Sequence, residues 1–168
     1  MSAPARSRAR QLLRHPAGWI ASGAGVGFAP VAAGTFGSLA ALLPWLALRT
    51  LPLPFYLLAL LAAFAIGVWA AQWVITRIQV EDPSVVVWDE FIGMWIALAA
   101  VPAGWAWVIA AFAAFRLFDI WKPWPVSWAD EHVGGGLGAM LDDALAGVYA
   151  WVVLQAAAWA LGVSPFTA

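Results

Sequence analysis

Cysteine is absent from this chain of 168 residues. Its absence excludes disulfide bonds, metal sites built from thiolates, and enzymes that use a cysteine nucleophile. It leaves the redox compartment of the protein undetermined, because a chain without thiols is compatible with any compartment.

Charged side chains are also scarce. They make up 10% of the residues, whereas hydrophobic residues make up 64%, and the mean hydropathy is +0.85. Soluble domains contain about 25% charged residues, so this chain cannot cover a water-exposed surface and its apolar excess must face lipid. The net charge of −1 provides no basic surface for nucleic acid. The length corresponds to one domain, residues 1–168.

The N-terminal region is basic and is followed by glycines. Arg6, Arg8, Arg10 and Arg14 precede a stretch that contains glycine at positions 18, 23, 25 and 27. Because these glycines interrupt the apolar core that a signal peptide requires, we predict a retained segment. Residues 1–16 are then a basic segment on the cytoplasmic side of the membrane, following the positive-inside rule.

Four charge-free runs predict the membrane segments. They cover residues 39–48, 55–76, 91–115 and 144–161. The second run has the length of a full span, for which about 20 residues are needed. Tryptophan occurs 13 times, often near the ends of these runs, as is typical of interfacial aromatic belts. The pattern predicts an all-α fold, a polytopic membrane helical bundle.

The third run decides the topology. As one straight helix, residues 91–115 would extend roughly 38 Å and place acids at opposite sides of the membrane. Its middle, however, reads Val101-Pro102-Ala103-Gly104, in which proline disfavours helix in the preceding residue and glycine permits a turn. We therefore predict a Pro/Gly-broken helical hairpin over about 86–118, with helices at 86–100 and 105–118. A single span remains the alternative, because membrane helices tolerate proline.

The hairpin places all acids together. If the N-terminus is cytoplasmic, the second segment returns near Arg77, the hairpin begins and ends inside, and the last helix leaves from about Leu141. Every carboxylate then lies on the cytoplasmic face. These residues are Glu81, Asp82, Asp89, Glu90, Asp119, Asp130, Glu131, Asp142 and Asp143.

Two adjacent acids, Asp89 and Glu90, begin an apolar helix. Acids favour helix N-termini because the backbone dipole is positive there, which explains one acid more easily than two. An unpaired charge beside the membrane is costly, and a hard cation bound by these oxygens would offset that cost. We therefore predict a functional pair.

Two basic residues and an acid are spaced three residues apart. Arg116, Asp119 and Lys122 are predicted to share one helical face before Pro123 ends the helix. A salt-bridged helix end is one reading of this pattern. The other is a phosphate site with its metal, in which arginine clamps the phosphate, lysine supplies a point charge and aspartate is a ligand.

Glycine-rich stretches precede further polar residues. The run Gly134-Gly135-Gly136-Leu137-Gly138 leads to Asp142 and Asp143, and such a loop before a helix can offer backbone N–H groups to phosphate. Adjacent helical residues point about 100° apart, so we expect one of the two acids to bind metal and the other to cap or support it. Thr35 and Ser38 lie in the segment Gly34-Thr35-Phe36-Gly37-Ser38. One interpretation is that they contact phosphate, and the other is that they cap the first helix.

Four of these segments together resemble the phosphatidylglycerophosphatase A family of bacterial membrane enzymes. They are residues 32–38, 82–93, 115–125 and 135–147, and the similarity extends from about residue 23 to residue 149. One departure is Ala33, where the family usually has proline before the glycine of its first motif. The change affects a turn but removes no charged group.

The resemblance implies a Mg²⁺-dependent phosphatase of the bacterial inner membrane, with its active site facing the cytoplasm. Its substrate would be the phospholipid phosphatidylglycerophosphate, hydrolysed to phosphatidylglycerol and inorganic phosphate. We expect catalytic and metal-ligating roles for one set of acids, and phosphate binding by a second set of residues. The first set is Asp89, Glu90, Asp119, Asp142 and Asp143. The second set is Arg116, Lys122, Thr35 and Ser38.

Other functions stay open at this stage. A small cation-coupled transporter or channel would also carry membrane carboxylates, but transport sites lie near the bilayer midplane, whereas these acids lie at segment ends. A phosphatase acting on another lipid phosphate is a further alternative. Whether water or an aspartate attacks the phosphate is left open by the residues.

Overall fold

The computed structural model describes residues 11–80 and 83–163. Throughout these residues the chain is helical or irregular and contains no β-strand, which confirms the all-α prediction. The helices are α1 (Pro16–Ala21), α2 (Ala33–Ala40), α3 (Leu42–Leu48), α4 (Leu53–Ile78), α5 (Trp88–Ala97), α6 (Trp105–Trp121), α7 (Val126–His132) and α8 (Gly135–Ala160), with a short 3₁₀ helix at Val26–Phe28. Arg6, Arg8, Arg10, Glu81 and Asp82, to which the sequence assigns positions, lie outside the described residues.

Two of these helices are long and apolar enough to cross a membrane. They are α4 and α8, each with 26 residues, or about 39 Å at 1.5 Å per residue. The outward surface of α4 consists of exposed apolar side chains such as Phe55, Leu58 and Leu61, as expected of a helix that faces lipid. The structure thus contains two candidate spans in the described chain.

The predicted segments differ from the observed helices at several ends. The 55–76 run corresponds to α4, which extends two residues further at each end. The 144–161 run corresponds to α8, but this helix begins earlier than the run, at Gly135. The 39–48 run is divided between α2 and α3 near Ala41, where Pro44 supplies no N–H to the carbonyl four residues before it.

The third charge-free run forms a hairpin, and the single-span alternative is wrong. Helix α5 ends at Ala97 and α6 begins at Trp105, with Gly104 at φ 122. The turn leaves backbone carbonyls without helical partners, and side chains of α8 satisfy them. Trp151 Nε1 donates to the Ala99 carbonyl at 2.9 Å, and Gln155 Nε2 donates to the same carbonyl at 3.2 Å. Non-helical backbone is tolerated at membrane depth when it is covered by protein in this way.

Helix α5 lies at the centre of the bundle. Six of its ten residues are buried, and it packs against α4, α6 and α8. Small residues permit these close approaches. Gly67 of α4 faces Trp88 and Met140, and a β-carbon there would lie 2.6 Å from each of them. Because Gly67 has no side chain, α4 packs closely on Trp88 of α5 and on Met140 of α8. This packing holds the first turn of α5 close to α8.

Candidate metal and phosphate site

Three carboxylates from two helices meet at one end of the bundle. Asp89 and Glu90 lie in the first turn of α5, and Asp143 lies in the third turn of α8. Each offers an oxygen, and these oxygens all lie within 4.8 Å of one another. Asp143 is 5% exposed. The arrangement concentrates negative charge in a confined space.

The donor set fits a hard divalent cation. Carboxylate oxygens are the ligands that Mg²⁺ and Ca²⁺ prefer, and all three donors are of this kind. Glu90 Oε2 is buried and has no hydrogen-bond partner within the described part of the chain. A buried acceptor left unpaired is costly, and a bound cation would satisfy it. The residues present therefore fit a metal ion.

The electrostatics of the first turn of α5 agree with this reading. Burial raises the pKa of Asp89 well above its usual value, and the neighbouring carboxylate of Glu90 raises it further. Burial likewise raises the pKa of Glu90 to about 7, with Asp143 and Asp119 adding to the effect against the lowering hydrogen bond from Asp89. Burial and the neighbouring acids thus disfavour the ionised forms of Asp89 and Glu90, and a bound cation would stabilise these forms.

Arg116 lies beside this cluster. Its Nη1 atom is 2.7 Å from Asp119 Oδ2, one turn further along α6, and 4.0 Å from Glu90 Oε1. The same nitrogen donates to Ser38 Oγ at 3.5 Å. Arg116 and Asp119 therefore share one face of α6 as predicted, and the arginine joins α6 to both α5 and α2.

Lys122 has different partners from Arg116, and it lies just beyond the helix whose face the sequence predicts it to share. Helix α6 ends at Trp121, and Lys122 has left-handed backbone torsions with φ 47. Its ammonium donates to Asp130 of α7 and, at 2.9 Å, to Asp142 of α8. Burial lowers the pKa of Lys122, but these hydrogen bonds outweigh it, and the net shift is upward. Lys122 thus bridges two helices.

The glycine run before Asp142 and Asp143 forms the N-cap and first turn of α8, which corrects the expectation of a loop there, while phosphate binding by its backbone stays a prediction. Gly134 is the N-cap of α8 and the helix begins at Gly135, so neither acid caps it. The two acids do diverge, as the 100° spacing predicts. Asp143 points to Asp89 and Glu90, whereas Asp142 points to Lys122.

Neither Thr35 nor Ser38 caps α2, so that reading is wrong. The N-cap is Ala32, and no side chain caps the helix. Ser38 is buried and its Oγ donates to the Gly34 carbonyl at 2.8 Å, while Thr35 is half-buried. A β-carbon on Gly34 would lie 2.2 Å from Glu90 Oε1. Glycine at this position therefore lets α2 approach the carboxylate cluster.

The structure also reveals features that the sequence interpretation missed. A cavity of about 370 Å³ adjoins the cluster at Asp89 and is lined on its other sides by Asp130, Glu131, His132, Gly134 and Asp142. Gln72 of α4 accepts a hydrogen bond from the Gly136 amide at 2.8 Å, which joins α4 to the first turn of α8. A lone amide side chain near the end of an apolar span was the available signal for Gln72.

Comparison with known proteins agrees with these motifs. A family model described as Phosphatidylglycerophosphatase A matches residues 19–158. No solved structure matches the chain.

Three relatives match over most of the chain. A phosphatidylglycerophosphatase A of Escherichia coli is 41% identical over 94% of this chain and 93% of its own length. A phosphatidylglycerophosphatase A of Haemophilus influenzae is 41% identical over 86% of this chain and 90% of its own length. A Bacteroides thetaiotaomicron protein, provisionally named a phosphatidylinositol-3-phosphatase, is 48% identical over 85% and 94%. On this evidence, the chain belongs to the phosphatidylglycerophosphatase A family.

Proposed function

We propose that this protein hydrolyses the phosphomonoester of phosphatidylglycerophosphate, releasing phosphatidylglycerol and inorganic phosphate, with Mg²⁺ as its cofactor. The observation that carries the proposal is the meeting of Asp89, Glu90 and Asp143 within 4.8 Å, with Arg116 beside them. Membership of the family supports the identity of the lipid substrate. The carboxylate cluster and Arg116 support the binding of its phosphate.

The side chains divide into two roles in this proposal. Asp89, Glu90 and Asp143 hold the metal through carboxylate oxygens. Arg116 binds the phosphate oxygens, and Asp119 fixes the arginine through its 2.7 Å ion pair. Ser38 supports the same guanidinium from α2. A bound divalent ion supplies neutralisation of the phosphate charge.

The reaction transfers a phosphoryl group to water. In the net reaction the bond between phosphorus and the glycerol oxygen breaks and a bond from phosphorus to the water oxygen forms. The water gives up one proton, and the departing glycerol oxygen gains one. Positioning and charge stabilisation account for most of the catalysis in such reactions. A rigid arginine next to the metal ligands meets both requirements.

The same site is proposed to face the cytoplasm of a bacterial inner membrane, within a polytopic bundle. The C-terminal part of α4 and the N-terminal turn of α8 meet at Gln72 and Gly136. The chain therefore completes one candidate span and begins the other near the site. Arg77 lies in the last turn of α4 at this end. Under the positive-inside rule, basic residues flanking a span favour the cytoplasmic side.

A second candidate is hydrolysis of a phosphate from another lipid headgroup. The Bacteroides thetaiotaomicron relative, with its name referring to an inositol lipid, has the highest identity of the three. The two candidates share the metal cluster and Arg116 and differ only in the alcohol that carries the phosphate. A substrate panel therefore separates them.

The test is phosphate release by purified protein in lipid-supplemented micelles, with and without Mg²⁺. We expect Mg²⁺-dependent release from phosphatidylglycerophosphate, lost in Asp143→Asn and retained in Thr50→Ala, whose exposed hydroxyl donates only within its own segment. Faster release from a phosphatidylinositol phosphate would favour the second candidate. No release from any lipid phosphate by folded protein would overturn both and favour cation transport.

A further inference from the structure

The cavity beside the carboxylate cluster has an unusual lining for a protein that acts on phosphates. It is formed on one side by α7, which contributes Asp130, Glu131 and His132, and on the other by the start of α8, which contributes Gly134 and Asp142. Within the described chain its lining contains no lysine or arginine. The lining is therefore rich in hydrogen-bond acceptors and negative in charge.

The ammonium group of Lys122 offsets only part of this negative charge, because one cation faces two lining acids and Glu131 adds a third. Lys122 Nζ is bound between Asp130 and Asp142, which ties α7 to α8. Tyr149 of α8 also donates to the Trp124 carbonyl at 2.8 Å, holding the segment that precedes α7. Because two separate contacts hold it, this wall of the cavity is part of the folded bundle.

Charge decides what such a cavity accepts. A phosphate oxygen would be repelled by the acids of the lining, and Arg116 and the metal cluster offer it a better position. A hydroxyl group, by contrast, donates to a carboxylate in a charge-assisted hydrogen bond. The cavity shares Asp89 with the metal cluster, so it adjoins the position of a phosphate bound there and can receive the group that carries this phosphate.

We propose that this cavity is a polyol subsite, in which Glu131 and His132 bind the hydroxyl groups of the alcohol that carries the scissile phosphate. The inference rests on the proposed function, which it deepens by assigning the headgroup specificity to α7. Glu131 and His132 are exposed and belong to the cavity wall. His132 Nδ1 lies 3.0 Å from the Trp128 carbonyl and its ring stacks on Trp128, which directs the imidazole.

The volume supports an occupant of this size. A water molecule occupies about 30 Å³ in the liquid, so 370 Å³ holds a glycerol unit and also a larger ring alcohol. The relatives' names refer to phosphates on glycerol and on inositol, both of which are polyols. The subsite therefore selects for a hydroxylated group and accommodates more than one size.

The experiment compares two soluble probes with the Mg²⁺-loaded protein by isothermal titration calorimetry. They are glycerol 3-phosphate and propyl phosphate, which has a similar carbon chain but no hydroxyl groups. We expect wild type to bind glycerol 3-phosphate about tenfold more tightly, because only its hydroxyl groups can donate hydrogen bonds to the charged carboxylate of Glu131. Glu131→Ala is expected to abolish that preference, and Thr50→Ala, just beyond the C-terminal end of α3, is expected to retain it.

Equal affinities in wild type, including no measurable binding of either probe, would overturn the subsite. So would a preference that survives both Glu131→Ala and His132→Ala. The proposed function fails separately, since it requires release of phosphate from lipid substrates. A protein that prefers glycerol 3-phosphate but hydrolyses no lipid would retain the subsite and lose the activity.

Discussion

Gly93 of α5 and Gly147 of α8 touch backbone to backbone. A β-carbon on Gly147 would lie 2.5 Å from the Gly93 carbonyl oxygen and 3.0 Å from its Cα. Asp89 precedes Gly93 by four residues, and Asp143 precedes Gly147 by four, so each acid lies one turn along the same helix face. The contact between the two glycines therefore sets the separation of Asp89 and Asp143.

We predict that Gly147→Ala separates these carboxylates. The added methyl group cannot fit against the Gly93 backbone, and forced overpacking costs about 1–3 kcal/mol. We expect a thermal midpoint lowered by several degrees in detergent and a loss of most phosphate release. Gly134→Ala is the stability control, because a β-carbon there meets nothing within 4 Å. A midpoint unchanged in Gly147→Ala would contradict the close contact.

A second prediction separates metal ligands from the arginine's partner. Asp143→Asn is expected to weaken Mg²⁺ binding at least tenfold, because it removes one of three converging carboxylates. Asp119→Asn is expected to keep Mg²⁺ affinity within about threefold while losing activity, because Asp119 holds Arg116 at 2.7 Å and a charge-assisted pair is lost. Metal titrations followed by thermal shift measure both. Equal weakening in the two variants would make Asp119 a direct ligand.

The third prediction concerns pH and stability without metal. The pKa of Glu90 is raised from 4.5 to about 7 in the folded protein, so the folded state binds more protons than the unfolded state between these values. Stability must then fall as pH rises through this interval. We expect the thermal midpoint of metal-free protein to decrease between pH 4.5 and 7.

Added Mg²⁺ is expected to reverse that trend, because the ion binds the ionised carboxylates and competes with protons. Glu90→Gln is the matched variant, since it removes the titrating group and keeps the side chain's shape. A wild-type midpoint that rises with pH in the absence of metal would contradict the raised pKa.

A fourth prediction concerns Lys122. If it only joins α7 to α8, Lys122→Met weakens substrate binding by loosening the cavity wall, so KM rises several-fold and kcat changes little. Asp130→Asn in the Lys122→Met background then has almost no further effect, because the two residues form one interaction. Kinetics of the two single variants and the double variant measure the coupling. Additive losses would favour direct binding of the phosphate by Lys122, as the sequence interpretation holds.

Local sequence features were sufficient for several parts of the fold. Pro102 and Gly104 predict the turn between α5 and α6, since both act on backbone torsions within a few residues. The divergence of Asp142 and Asp143 follows from helix geometry alone. The glycine run was misread, because glycine predicts a loop locally while the contact of Gly136 with α4 stabilises it as helix.

The position of the Lys122 side chain at the end of α6 could not be predicted from neighbouring residues. A period of three residues predicts that Arg116, Asp119 and Lys122 share a face, and it holds for the first two residues. At Lys122 the backbone enters the left-handed region, so the helical period no longer applies to its side chain. The carboxylates of Asp130 and Asp142 then determine its position, and neither is a neighbour along the helix.

By itself the sequence determined the all-helical fold, the apolar surface and the family, and it favoured the hairpin over a single span, because composition and short motifs depend on neighbouring residues. Only the tertiary structure decided which acids converge. Asp89 and Asp143 lie more than fifty residues apart, and the packing of α5 on α8 brings them within 4.8 Å of one another together with Glu90. That packing depends on the shapes of two helix surfaces in contact, and the order of residues along either helix does not reveal which surfaces will meet.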